Sequence, residues 1–373
     1  MNIGYEAKRI FHNQTGLGNY GRDLVRMLST HYPDHRYLLY NPKPNRRPLF
    51  VPDGERMIER LPGTPFDRMF YNLWRQRNMI TDLKRDQITL FHGLSGEIPA
   101  GLTKHGIRSV VTIHDLIMVR YPQFYRPVDR LIYFRKFRHA ARQADRVIAI
   151  SEQTKRDVVD FLGIAEDRVE VIYQGCHPAF KQQYGEAEKA RLRERYKLPS
   201  SFILNVGTIE ERKNVGLVVR AIRELSDVAL VVAGKETAYA ANVREYVRAH
   251  GMESRVLFLQ GLTVHELAVL YQLADLFVYP SLFEGFGIPI IEALYSGVPV
   301  ITTAAGCFPE AGGPDSCYVA PNDEEAMRLA IRTLADDAGR RTLMCMKGRE
   351  YASRFDDTVI ATQVMDLYRR LIF

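Results

Sequence analysis

Two glutamates with seven residues between them, Glu284 and Glu292, bracket the part of this chain best suited to chemistry. Gly285, Phe286, Gly287, Ile288 and Pro289 lie between them, and apolar residues run on either side. Glycines at 285 and 287 let backbone amides come close to a ligand. A helix opening near Pro289 would offer unpaired N–H groups and the positive end of its dipole to a phosphate. Glu292, about one turn into that helix, has the two acceptor oxygens needed to hold neighbouring hydroxyls such as those of a ribose. The plain alternative is a capped helix with two solvated glutamates, and the density of glycines speaks against it.

Four further places carry chemistry-bearing residues. Gly207 and Thr208 end an apolar run and lead to Arg212 and Lys213, adjacent cations able to take the charge that grows on a departing diphosphate. Seen alone, a basic pair on a loop is ordinarily only solvated. His114 ends the apolar run 110–114, where a structural role is the common one. Gly16 and Gly18 read as a flexible loop before a helix. Ser151 either caps the helix that follows, with Glu152 and Thr154 in its first turn, or touches phosphate, and both readings stay open. No Asp-x-Asp and no His and carboxylate cluster is present, so no metal is expected, with the two cations in its place. Cys176, Cys307, Cys317 and Cys345 are scattered and read as free thiols.

These residues need strands to carry them. A chain of 373 residues exceeds one ordinary core and suits two α/β domains. Strand-like runs at 3–7, 37–41, 88–92, 110–114, 147–151 and 169–173 alternate mostly with helix-like runs. A cleaner alternation follows, with strands at 202–207, 229–234, 256–261, 276–280, 300–303 and 317–320 and helices around 214–225, 237–250, 265–274, 287–296, 323–335 and 340–353. Such alternation predicts parallel sheets, whose ligands lie at the carboxyl ends of the strands. Gln174-Gly175-Cys176-His177-Pro178 reads as the interdomain connection, with a hinge near 174–182. The proline-rich stretch 41–48 is expected to be a mobile loop.

Taken together, these motifs resemble glycosyltransferase family 4. The match rests on Glu284 and Glu292 with the Gly-Phe-Gly-x-Pro between them. Val206-Gly207-Thr208-Ile209-Glu210-Glu211-Arg212-Lys213-Asn214 supports it, as do Thr112-Ile113-His114-Asp115, Ile150-Ser151-Glu152-Gln153-Thr154 and Thr15-Gly16-Leu17-Gly18-Asn19-Tyr20. The stretch from His92-Gly93-Leu94-Ser95 through His114-Asp115 to Ile150-Ser151 is most similar to bacterial mannosyltransferases that build surface polysaccharides. The resemblance implies the GT-B fold: two Rossmann-like parallel-sheet domains facing a cleft, with a C-terminal helix crossing back to the first. The expected domains are 1–176, with helix 355–373 added through Val359, Ile360, Val364, Leu367, Tyr368 and Leu371, and 177–354 for the nucleotide sugar.

The same resemblance implies the activity and its residues. A hexosyl group, mannose from GDP-mannose or else a sugar from a UDP donor, would pass to a glycan or lipid-linked saccharide with retention of configuration. No cofactor would be needed. Arg212, Lys213, Glu284 and His114 would form the catalytic set, His114 by contact with the donor sugar rather than by proton abstraction. Gly16, Gly18, Ser151, Gly207, Thr208, Leu262, Gly285, Phe286, Gly287, Ile288 and Glu292 would bind the donor, and the base would be read by backbone near Gly261 and Leu262. Many relatives resemble Gly-Arg where this chain has Gly207-Thr208, and whether Arg212 alone takes over the second phosphate contact stays open. A phosphorylase would need a cofactor-bearing lysine that no motif marks.

Charge adds one more expectation. Residues 1–180 hold 28 Lys and Arg against 19 Asp and Glu, whereas residues 181–373 hold 23 against 25. A basic first half suits an anionic acceptor, an anionic membrane surface or nucleic acid, which sign alone does not separate, and the acidic tilt of the second half argues against a general polyanion binder, so no nucleic-acid partner is expected. From Pro127 onward, Leu131, Ile132, Phe134, Phe137, Ala141 and Ala144 can form one apolar flank of a helix. Arg130, Arg135, Lys136, Arg138, Arg142 and Arg146 supply the rest. That helix either packs on the first sheet or sits on an anionic membrane. A non-enzymatic anionic-surface module is the rival reading from another class. Neither a secretory leader nor a run of roughly 20 apolar residues is seen, so a cytoplasmic protein is expected, peripheral at the inner face of the plasma membrane if the helix docks there.

Overall fold

Near-continuous apolar segments become parallel strands buried on both faces, and this chain builds two such sheets. The structure, a computed structural model, describes residues 1–44 and 49–373. Residues 45–48 of the expected proline-rich loop lie outside the described ones. The chain divides into two compact units, Met1–Gly175 with Phe355–Phe373, and Cys176–Arg354.

In the first unit the strands are β1 (Asn2–Glu6), β2 (Arg36–Tyr40), β3 (Met57–Arg60), β4 (Leu90–Gly93), β5 (Arg108–Ile113), β6 (Arg146–Ala149) and β7 (Val169–Val171). Their spatial order is β3-β2-β1-β4-β5-β6-β7, every neighbour parallel. Strand β3 was not expected. Its Met-Ile-Glu-Arg carries only one fully buried residue, so it lacks the apolar run that marks an inner strand and survives as a sheet edge. The C-terminal helix Asp357–Ile372 packs on the helix Gly16–His31 of this same unit, through the Arg26–Asp357 ion pair at 2.8 Å and a Tyr32–Thr362 hydroxyl bond at 3.1 Å. It buries Ile360, Val364, Leu367 and Tyr368, while Val359 stays exposed. Its deepest polar anchor is Tyr368, whose hydroxyl meets Nδ1 of buried His92 at 2.5 Å.

The second unit contains β8 (Ile203–Val206), β9 (Leu230–Ala233), β10 (Val256–Leu259), β11 (Leu276–Tyr279), β12 (Val300–Thr303) and β13 (Cys317–Val319), in the order β10-β9-β8-β11-β12-β13, again all parallel. Strands β8, β9, β11 and β12 are buried throughout. The chain runs outward one way from β8 and the other way from β11. The carboxyl ends of these two strands therefore flank the topological switch point, the place where open α/β sheets leave a crevice. Helix starts follow local chemistry: Thr263 and Glu266 form a reciprocal capping box, and Asp323 caps the helix Glu324–Asp336.

Candidate donor site

Both turns at the switch point of the second sheet converge on one carboxylate. After β8, Gly207 is held to β9 by its amide on the Ala233 carbonyl at 2.9 Å, and the chain passes Thr208 to a single 3-10 turn at Glu211–Lys213. After β11, the chain reaches Glu284 in five residues. The Leu282 amide donates to the Arg212 carbonyl at 2.9 Å and ties the two turns together. Arg212 Nη1 lies 2.9 Å and Lys213 Nζ 2.5 Å from Glu284 Oε1. The Tyr279 hydroxyl donates to that oxygen at 3.0 Å and accepts from Lys213 Nζ at 2.7 Å. Arg212 also donates to the Phe283 carbonyl at 2.7 Å and pairs with Glu210 at 2.6 Å.

The electrostatics follow from this crowding. Burial would raise the Glu284 pKa, but Lys213 and Arg212 outweigh it and bring it down to about 2. Burial likewise opposes the charge on Arg212, and Glu284 and Glu210 overcome it, so the guanidinium is held above its ordinary range. Two cations and two carboxylates thus form one compact cluster. The sequence marked the cations and Glu284. The Oε1 oxygen of Glu284 is committed to the cations.

The glycine turn behaves as its residue types suggest. Gly287 sits at φ +112, a conformation side chains rarely adopt, and it forms the N-terminal boundary of the helix Ile288–Ser296 with no side-chain cap. Pro289 occupies the first turn, and no acidic residue stands there to compete with an anion. Phe286 is buried, and the Cys307 thiol donates to the carbonyls of Glu284 and Phe286, at 3.2 and 2.9 Å, fixing the turn from behind. Glu292 is half-buried on the same helix, and its Oε2 accepts from the Tyr271 hydroxyl at 3.0 Å. Leu262 lies three residues beyond β10, the edge strand of this sheet, next to Gly261 at φ +70.

The first unit collects the remaining candidates near the carboxyl ends of its own strands. His114 follows β5. Gln174 donates to its Nδ1 at 2.9 Å, which makes Nε2 the protonated nitrogen, donating to the Leu94 carbonyl at 2.9 Å. Burial depresses its pKa to about 4 against the opposing pull of the Leu94 bond. The ring is therefore neutral, and a contact with a donor sugar cannot use a ring nitrogen without breaking one of these bonds. Tyr20 meets it edge-on at 4.7 Å. Gly16 and Gly18 correct the expectation of a loop: both lie in the first turn of the helix Gly16–His31. A Cβ on Gly18 would fall 2.0 Å from the Asn13 carbonyl oxygen, so packing alone requires that glycine. Ser151 is fully buried and caps the helix Glu152–Leu162 by accepting from the Thr154 amide at 3.0 Å, which gives it the capping role.

Tyr279, Tyr271, Glu210 and Cys307 were missed. A hydroxyl on the last residue of an apolar strand is the signal that could have found Tyr279. Nothing local marks Tyr271, which sits in the last turn of the helix Val264–Leu273 and reads as core. Among the described residues, no group of three or more His, Cys, Asp or Glu side chains could hold a metal ion. Cys176 and Cys307 are buried free thiols, and Cys317 and Cys345 are half-buried ones.

Comparison with known proteins bears on the family and the fold. The family described as Glycosyltransferase Family 4 matches residues 15–180, and that described as Glycosyl transferases group 1 matches residues 188–351. The O-antigen chain mannosyltransferase B of Escherichia coli is 25% identical over the whole of both chains. The serotype-specific mannosyltransferase WbdA of Escherichia coli is 30% identical over 69% of this chain, which spans only 33% of that longer protein. Among solved structures, a sucrose-phosphate synthase from Thermosynechococcus elongatus superposes with a TM-score of 0.82 at 22% identity, covering 100% of this chain and 99% of that one. HepE of Anabaena, in complex with UDP-glucose, gives 0.76 at 18% identity over all of both chains. At these identities the structures show a shared fold.

Proposed function

On the premise that the chain belongs to glycosyltransferase family 4 and is a sugar-transferring enzyme of polysaccharide biosynthesis, we propose that it takes mannose from GDP-mannose and passes it, with retention of configuration, to a glycan or lipid-linked saccharide. The observation that carries this reading is the meeting of Arg212, Lys213 and Glu284 beside an uncapped helix N-terminus at the sheet's switch point. Two cations beside the positive end of a helix suit a diphosphate, and Glu292 further along the same helix suits the ribose attached to it. The base would lie by the backbone at Gly261 and Leu262.

In the transfer step the bond between the sugar's C1 and the diphosphate oxygen breaks, and a bond from the acceptor oxygen to C1 forms. The departing diphosphate takes the electron pair, and one of its oxygens receives the proton of the acceptor hydroxyl. Arg212 and Lys213 stabilise the negative charge as it grows, worth about 3 kcal/mol for one such partner. They do this without a metal ion, and no cofactor is required. Glu284, held ionised by the same cations, fixes their positions and offers its carboxylate to a sugar hydroxyl. The mannose assignment draws on the mannosyltransferase relatives, with a UDP-sugar as the alternative donor.

A panel of GDP- and UDP-sugars tests this directly, read as release of nucleoside diphosphate in the presence of a saccharide acceptor. Turnover of GDP-mannose above all others is expected. Turnover of a UDP-sugar alone would replace the donor, and binding without turnover of any would leave only an anionic-surface module.

A second aspect concerns where the enzyme works. In the helix Pro127–Gln143, Val128, Leu131, Ile132 and Tyr133 are exposed among the exposed cations Arg126, Arg135, Lys136 and Arg138. This face suits contact with an anionic membrane carrying a lipid-linked acceptor.

A further inference from the structure

Strand β11 ends on Tyr279, a side chain to which the reading above gives no part in binding the donor. Its ring is 1% exposed, stacked on Phe277 at 5.7 Å and met edge-on by Phe308 at 6.2 Å. Its carbonyl accepts from the Thr302 hydroxyl of β12 at 2.7 Å. Strand and core thus fix the ring. Its hydroxyl accepts from Lys213 Nζ and donates to Glu284 Oε1. The ammonium also lies 5.1 Å from the centre of the ring.

Lysine is a compact charge on a long flexible stem, so where its charge stands depends on what fixed groups surround it. Arg212 is located by its bidentate reach to the Phe283 carbonyl and to Glu210. For Lys213 the two hydrogen-bond partners are Glu284, itself on a loop, and Tyr279, on a strand. We propose that Tyr279 is a positioning residue for the transfer reaction, its hydroxyl and ring holding the Lys213 ammonium where the charge of the departing diphosphate develops. Burial and the Glu284 charge keep the phenol protonated, with its pKa well above the ordinary value, so the hydroxyl both donates and accepts. A cation displaced by even an ångström loses much of its hold on charge that appears only in the transition state. This inference rests on the reading of Lys213 as partner of the diphosphate.

A double-mutant cycle separates the two. The kcat and donor KM are measured for the parent enzyme, Tyr279→Phe, Lys213→Ala and the double variant, together with their melting temperatures. Tyr279→Phe keeps the ring and is expected to lower kcat about tenfold with donor KM within about threefold of the parent, the pattern of an interaction made in the transition state. In the Lys213→Ala background the same change is expected to alter kcat less than about twofold, because its partner is gone. An equal loss in both backgrounds, full kcat in Tyr279→Phe, or a variant that no longer folds would make Tyr279 a core residue only and overturn the proposal. Full kcat in Lys213→Ala would instead overturn the reading of Lys213 on which the proposal stands.

Discussion

The Tyr271 hydroxyl stands 3.0 Å from Glu292 Oε2 and 3.2 Å from the Pro289 carbonyl, joining the helix Val264–Leu273 to the first turn of the helix Ile288–Ser296. Tyr271 is fully buried, against Phe180 and Phe277. A rigid donor therefore orients the carboxylate proposed to hold ribose. Glu292→Ala is expected to raise donor KM about tenfold or more with a much smaller change in kcat, since the contact is lost in ground and transition states alike. Tyr271→Phe removes a hydrogen bond to a carboxylate, worth about 1.5–3 kcal/mol, and should raise KM by a few fold, less than Glu292→Ala does, because the carboxylate itself remains. Calorimetric titration with nucleoside diphosphate checks both, and unchanged affinity in Glu292→Ala would remove that residue from the nucleotide site.

Lys213→Ala is expected to lower kcat by about two orders of magnitude, because removing one preorganised partner of transition-state charge costs about 3 kcal/mol. Single-turnover measurement at saturating donor isolates the chemical step. A variant with near-parental kcat would assign the leaving-group charge to Arg212 and the helix N-terminus alone.

How far the site was legible in sequence depended on which partner each residue had. Arg212, Lys213, Glu284 and the glycine turn could be read because their neighbours in space are close to their own strand ends, and parallel sheets send ligands to that edge. Tyr271 could not, since a buried tyrosine in an apolar run looks the same whether its hydroxyl meets a carboxylate or only a carbonyl, and Tyr279 was marked only by a hydroxyl at the end of its strand. Gly18 misled for a related reason. A glycine in sequence signals either freedom or close approach, and only the Asn13 carbonyl 2.0 Å from a would-be Cβ decides between them. Strand β3 escaped because an edge strand need not alternate or be wholly apolar. The helix Pro127–Gln143 divided where one apolar flank was expected. Phe134 and Phe137 pack on the core with Ala140, Ala141 and Ala144, while Leu131 and Ile132 are 50% and 46% exposed.

Two histidines, His92 buried and His114 half-buried, set an acid limit on the first unit. Burial lowers the His92 pKa to about 3, aided by His114, and the His114 pKa to about 4. In the unfolded chain both titrate near about 6.5. Above that pH neither state is protonated and the full stability is present. As pH falls below it, the unfolded chain gains protons that the folded one refuses, so stability declines from about pH 6.5 down toward 4 and, for His92, 3. Each histidine should contribute a loss of about 2.5 kcal/mol by pH 4.5. Thermal melting of the parent and His92→Gln across this range checks the sign: the variant should melt lower at pH 7.5 but lose less on acidification. Parallel curves would show that His92 carries no such linkage.

Activity is expected to survive exhaustive treatment with EDTA, because the cation cluster at Glu284 places positive charge where a divalent ion would otherwise stand. The measurement is initial rate before and after chelation, then after adding Mg²⁺ or Mn²⁺. Complete loss reversed by either ion would mean that Arg212 and Lys213 do not suffice for the diphosphate.

The helix Pro127–Gln143 should bring the first unit to anionic lipid. Val128, Leu131 and Ile132 recur at helical spacing on one face and are 68%, 50% and 46% exposed, too apolar a stripe to be explained by packing within this unit. Exposed Arg126, Arg135, Lys136 and Arg138 lie on the same helix or at its start, and each cation near a charged bilayer is worth about 1 kcal/mol, screened by salt. Lys136 is already 3.5 Å from Glu97, so Arg135 should contribute more. Co-sedimentation with liposomes is expected to require anionic lipid and to fall as salt is raised. It should weaken about tenfold or more in Arg135→Glu/Lys136→Glu, since reversing two charges removes two attractions and adds two repulsions. Leu131→Ser/Ile132→Ser should weaken binding in a salt-independent way, because that variant removes the inserted area and leaves the charge. Equal binding to neutral and anionic vesicles, or unchanged binding in both variants, would leave the helix a solvated crossover with no part in reaching the membrane.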